Sequence, residues 1–160
     1  MQTLTVRVST RVPVTPEAAF DHIVPLAPSR IFTGYGPLPA VVATHAQNGP
    51  WDAPGQGRWV RFSDGGSARE RLTDFQRPRS FASRLDEFSG VLGRLAREVQ
   101  GRWRFRPVDG GAVIDWRYQF QARSALTRPL LWVVVRIFWQ GYMDRALARA
   151  CQGLEQRNNA

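Results

Sequence analysis

Residues 128–154, RPLLWVVVRIFWQGYMDRALARACQGL, constrain the fold more than any other stretch. Pro129 suits a first helical turn, where its missing N–H costs nothing. Apolar residues then recur at helical spacing: Leu131, Val135, Phe138 and Tyr142 on one line, and Trp132, Val135, Trp139, Met143, Ala146 and Ala150 on the next. At about 1.5 Å per residue this helix is roughly 40 Å long, more than a small domain needs to close a core. Everything before it reads as short strands and two small helices. A long apolar helix laid over one antiparallel sheet predicts a hydrophobic pocket between the two. The half from Leu130 to Trp139 is apolar on all sides, so something besides the sheet must cover its back. Leu130, Val133 and Ile137 form a half-turn that is either a homodimer patch or a seat for the loop Gln47–Gln56. Gly141 allows close approach by backbone or ligand.

At 160 residues the chain is read as one domain, 1–160, with 43% hydrophobic and 22% charged residues, and so as a folded globule. The single cysteine, Cys151, excludes an internal disulfide framework and fits a reducing, cytoplasmic compartment. The start, MQTLTVRVSTRV, alternates and lacks the apolar core of a secretory signal. The run Leu130–Val135 is followed by Arg136, Gln140 and Asp144, and is too short and polar to insert stably in a bilayer. Net charge is +9, and all 22 basic residues are arginine. They are scattered along the chain without a basic tail or nucleic-acid motif, so no nucleic-acid partner is expected.

Leu4–Val14 reads as a strand. Thr15, Pro16 and Glu17 then start a short helix, Pro16–Ile23, as cap, first-turn proline and dipole-matched acid. A second helical turn covers Ala27–Phe32. Strands follow at Ala40–Ala46, Gly57–Phe62, Ala68–Phe75, Ser80–Glu87, Leu95–Arg106 and Ala112–Ala122, with Phe88–Gly93 as loop or bulge. Ser63-Asp64-Gly65-Gly66 is strong hairpin chemistry. In the last strand Ile114, Trp116, Tyr118 and Phe120 share one face, and Asp115, Arg117, Gln119 and Gln121 the other. Leu95, Val99, Gly101, Trp103 and Phe105 continue the apolar face, as in a sheet covered on one side.

A first strand ending in VPVTPEAAF, two short helices, a curved antiparallel sheet and a long terminal helix together resemble the START-like helix-grip superfamily, also called SRPBCC. Gly49–Arg58, Phe62–Leu72 and Gly101–Pro107 are similar to segments of its bacterial members. The resemblance covers essentially the whole chain. It implies an α+β helix-grip fold, with a curved antiparallel sheet of about seven strands wrapped around the C-terminal helix. It further implies a deep cavity between sheet and helix, opening near the small helices and loops. Its members include polyketide cyclase/dehydrase-like proteins and lipid carriers, and no catalytic set is shared among them, so none is carried over.

Among the residues themselves, Arg58 and Glu70 are the most suggestive polar pair. If Val60, Phe62 and Leu72 face the core, period two turns Arg58 and Glu70 inward on adjacent strands. A desolvated carboxylate there can act as general acid or base, and a guanidinium can polarise a carbonyl. The bland alternative is a buried ion pair satisfying itself. Arg97 falls on the apolar face by the same count and either reaches an anionic ligand or snorkels past a strand end. Trp103, Trp116, Tyr118, Phe120, Val135, Phe138 and Tyr142 are the expected ligand-binding wall. His22, near the expected cavity mouth, and His45 have no metal-ligand neighbours, and no metal or cofactor is expected. These residues point to a bound hydrophobic molecule that is polyketide-, lipid- or aromatic-like. Acid–base chemistry at Glu70 and Arg58, simple carriage, and an interaction module using the arginine-rich outer sheet face all stay open.

Overall fold

The computed structural model describes residues 3–155. Strand β1 (Thr3–Val12) is followed by helices α1 (Pro16–Ile23) and α2 (Pro28–Ile31). Strands β2 (Val41–His45), β3 (Gly57–Phe62), β4 (Ser67–Gln76) and β5 (Ser80–Asp86) come next. A short helix α3 (Val91–Leu95) leads into the long strands β6 (Ala96–Val108) and β7 (Gly111–Ala122). The chain ends in α4 (Arg128–Val134), a π-helical turn (Val135–Trp139) and α5 (Gln140–Glu155). The seven strands form one antiparallel sheet in the order β1-β7-β6-β5-β4-β3-β2. This is the helix-grip arrangement.

The sheet is a meander from β2 to β7, and β1 closes it by pairing along the length of β7. Alternation decides which face is covered. Val6 and Val8 of β1, Ile114, Trp116 and Phe120 of β7, and Val99, Trp103 and Phe105 of β6 are all buried. Between them Arg7 pairs outward with Asp115 at 3.0 Å. The terminal helix covers the apolar face through Leu131, Val135, Trp139, Tyr142, Met143, Ala146, Ala150 and Leu154. The Thr15 hydroxyl accepts from the Ala18 N–H at 3.2 Å and caps α1, whose Phe20 meets Phe75, Phe81 and Phe105 edge-on. His22 bonds to the Ala150 carbonyl at 3.0 Å and ties α1 to α5.

Three local features depart from simple periodicity. The segment Phe88–Gly93, expected as a loop or bulge, contains the first turn of α3. The β6–β7 register slips between Ala96 and Glu98. This bulge puts Ala96 inside and leaves Arg97 exposed, so Arg97 is not on the apolar face that strict period two assigns it. The terminal helix is not α-helical throughout. A π-turn carries an extra residue, so its phase differs from an α-turn's. Trp139 follows Leu131 and Val135 into the core, while Trp132, expected on the inward line, is 47% exposed.

Candidate functional site

Two chambers lie between the sheet and the helices. The larger is lined by apolar side chains of β3 (Val60, Phe62), β6 (Val99), β7 (Phe120) and the terminal helix (Leu131, Trp139). Its volume is about 70 Å³, several times the roughly 10–15 Å³ that one water needs. The smaller, about 50 Å³, is lined by Trp51, Arg58, Ser83, Gly101, Trp103 and Trp116 and is far more polar. Glu70, Tyr118, Pro28 and Phe32 line both. An apolar room and a polar room thus share a wall.

That wall carries the charged chemistry. Arg58 of β3 and Glu70 of β4 are direct cross-strand partners in the register. Arg58 donates through Nε to Glu70 Oε1 at 2.7 Å, and the Ser83 hydroxyl donates to Oε2 at 3.1 Å. The Arg58 guanidinium carbon lies 4.0 Å from the centre of the Trp51 ring, a cation–π stack. Trp51 holds φ at 63°, uncommon for a bulky residue, and is 4% exposed. Burying the indole against Arg58 offsets that backbone strain.

Tyr118 supplies the other polar atom. Its ring leans over Gly101, where an added Cβ would stand 2.5 Å from Cε1. Only glycine leaves the ring this position. Burial pushes the phenol pKa far above its ordinary value; the charge of Glu70 adds to that and Arg58 opposes it. The hydroxyl therefore stays protonated as a donor, and it makes no protein hydrogen bond among the described residues. The terminal nitrogens of Arg58 likewise have no protein acceptor there. Tyr142 is different. Its hydroxyl donates to the Pro39 carbonyl at 2.8 Å and accepts from the Gly34 N–H at 3.0 Å, so it is consumed in holding the α2–β2 loop.

The chain matches the model of the family described as polyketide cyclase / dehydrase and lipid transport over residues 3–155. It belongs to that family. The fold is shared with solved structures at low identity. Half of the di-domain ARO/CYC StfQ from the steffimycin biosynthetic pathway is similar at TM-score 0.71 and 14% identity, covering 99% of this chain and 53% of that one. Ara h 8.0201 is similar at TM-score 0.58 and 14% identity, covering 92% and 97%. Protein CV1439 from Chromobacterium violaceum is similar at TM-score 0.60 and 14% identity, covering 94% and 96%. No curated protein matches the chain by sequence.

For this member of the polyketide cyclase/dehydrase and lipid transport family, the expected site residues divide as follows. Glu70, Arg58, Trp103, Trp116, Tyr118, Phe120 and Tyr142 lie on the chamber walls. Val135, Phe138 and Arg97 lie on neither. Val135 is 1% exposed and packs in the core, and Phe138 faces Gly36, within 2.9 Å of where a Cβ would stand. In their place the π-turn presents Trp139. Periodicity alone overlooks Trp51, Ser83 and Phe32. A tryptophan inside the Gly/Pro loop Gln47–Gln56 is itself a signal, since so large a ring needs a place to be buried. Ser83 could also have been found, because period two puts it between Phe81 and Leu85. His22 lines neither chamber, and no metal-holding group of His, Cys, Asp or Glu occurs among the described residues.

Proposed function

We propose that the chain binds an amphipathic small molecule whose apolar body fills the larger chamber and whose oxygen-bearing group reaches the wall at Glu70, Arg58 and Tyr118. One observation carries this reading. The Tyr118 hydroxyl and the outer Arg58 nitrogens, on residues that line the chambers, have no protein acceptor among the described residues, and neither do the buried indole nitrogens of Trp116 and Trp139 on the same walls. Buried donors are normally satisfied, so a ligand carbonyl, carboxylate or phenol oxygen fits there. Flat aromatic walls suit a planar or acyl body. Family membership and the cyclase-like neighbour are consistent with an oxygenated, polyketide-like ligand.

Glu70 is the group for proton transfer if the ligand is changed. Each oxygen holds one protein hydrogen bond and keeps a second lone pair, so the carboxylate can accept a proton from an acidic carbon next to a carbonyl held by Arg58 or Tyr118. The same two bonds favour a second reading, simple carriage, because Arg58 and Ser83 already satisfy much of the carboxylate. Native mass spectrometry of freshly purified protein tests both. A copurifying apolar, oxygenated molecule is expected. With that molecule in hand, Glu70→Gln separates them: binding survives in either case, and conversion is lost only if Glu70 does chemistry. If nothing copurifies and neither planar aromatics nor acyl chains raise the melting temperature, the binding proposal fails.

A further inference from the structure

The outer face of the terminal helix is apolar where its inner face lines the larger chamber. Leu130, Val133 and Ile137, at i, i+3 and i+7, are 57%, 37% and 61% exposed. Beside them Trp132 is 47% exposed, and Leu126 in the preceding turn is 92% exposed. Helix α3 packs against α4 and adds Val91, 45% exposed. The loop Gln47–Gln56 does not cover these residues.

The charge carried by the patch's own segments is of one sign, and the carboxylate beside them is Asp64, which accepts from the Val91 N–H at 3.3 Å. Residues 89–97 and 121–143 contain Arg94, Arg97, Arg123, Arg128 and Arg136 and no aspartate or glutamate. None of the five has a carboxylate partner among the described residues. Elsewhere among the described residues Arg7, Arg58, Arg69, Arg77, Arg84 and Arg102 pair with acids while Arg61, Arg71 and Arg104, among others, do not, so what marks this face is unpaired positive charge set beside exposed apolar side chains. The Arg123 side chain donates to the Gly93 carbonyl and its backbone N–H to the Leu95 carbonyl, which ties the helix entry to α3.

We propose that this face docks on an anionic lipid bilayer, lying on its surface without crossing it. A bilayer meets both halves of the pattern. Leu126, Leu130, Val133 and Ile137 can enter the acyl boundary, Trp132 suits the interface, and the arginines reach headgroup phosphates. A second copy meets only one half. A two-fold contact would bring each arginine cluster against its own mate, with Asp64 at the α3 end as one acid against five arginines. Among the described residues no helix is long and apolar enough to span a membrane, in keeping with a surface contact. This proposal stands without the ligand-binding reading, since none of its residues lines either chamber.

Flotation of the full chain with two vesicle types provides the test: phosphatidylcholine alone, and equal parts phosphatidylcholine and phosphatidylglycerol. Partitioning is expected to be at least about tenfold stronger on the anionic vesicles and to weaken as salt rises. Replacing Arg94, Arg97 and Arg136 together by glutamine should lower it on the order of a hundredfold, about fivefold for each basic residue. Leu130→Ser with Ile137→Glu should abolish it while leaving the circular dichroism spectrum and melting temperature unchanged, because both sites are exposed. Equal binding to both vesicle types overturns the proposal, as does wild-type partitioning by the folded variants. A concentration-dependent dimer that Ile137→Glu dissolves, without vesicle binding, assigns the face to a second copy instead.

Discussion

Arg58 and Glu70 form a cross-strand ion pair at 2.7 Å, with only 10% and 11% of their side chains exposed. Such a pair is costly to break from one side because the remaining charge stays buried. Arg58→Ala also removes the cation from the Trp51 ring. It is expected to destabilise the protein by about 3–5 kcal/mol, while the double change Arg58→Met with Glu70→Leu costs far less. Urea denaturation of the three proteins checks this.

Tyr118 has no protein hydrogen bond to lose among the described residues, so Tyr118→Phe should leave stability within about 0.5 kcal/mol of wild type. Its effect should appear in binding. Affinity for a hydroxyanthraquinone probe, read by tryptophan quenching, should fall by roughly five- to tenfold, the worth of one hydrogen bond of about 1–1.5 kcal/mol. Affinity for anthracene, of similar shape but without oxygen, should stay unchanged.

Gly101→Ala would put a methyl group 2.5 Å from the Tyr118 ring. The ring must swing off its position, at an overpacking cost of about 1–3 kcal/mol. Denaturant unfolding measures that cost. Probe affinity should fall with it, since the ring that moves separates the two chambers.

Gly111→Ala tests the sheet closure away from the site. A Cβ there would fall 1.9 Å from the Val12 carbonyl oxygen, a backbone atom that cannot step aside. The β1–β7 pairing must shift, at a cost of at least about 1–3 kcal/mol, seen as a lower melting temperature. Ligand binding should be affected less than by Gly101→Ala.

Acid should weaken the fold through carboxylates on the outside of the sheet and on α1. Hydrogen bonds from Arg102 and then Gln76 hold the Asp74 pKa below its ordinary value, and Arg77 does the same for Asp21. Both groups therefore bind a proton less readily when folded than when unfolded. Their stabilising contribution is fully present above the unfolded carboxylate pKa, near 3.8, and is lost as pH falls through the lower folded value. Asp74→Asn should flatten that acid limb in a stability–pH profile without changing its form near neutrality.

Periodicity in the sequence determined the two-faced sheet, the capped helix at Pro16 and the long terminal helix, because alternation and helical spacing follow directly from backbone geometry. It also placed Glu70 and Arg58 on one face, since the hairpin at Ser63–Gly66 sets their register. A count along one strand cannot anticipate an inserted residue. The bulge at Ala96–Glu98 turned Arg97 outward, and the π-turn at Val135–Trp139 brought Trp139 to the cavity while Phe138 went to Gly36. Both depend on what lies across the sheet. The same holds for Trp51 over Arg58, for Ser83 on Glu70 and for the Tyr118 hydroxyl, which has no partner among the described residues. These contacts join a loop to a strand and one strand to the next, beyond what a count along any single strand can reach, so packing in three dimensions decided which polar atoms were satisfied and which were left facing the cavity.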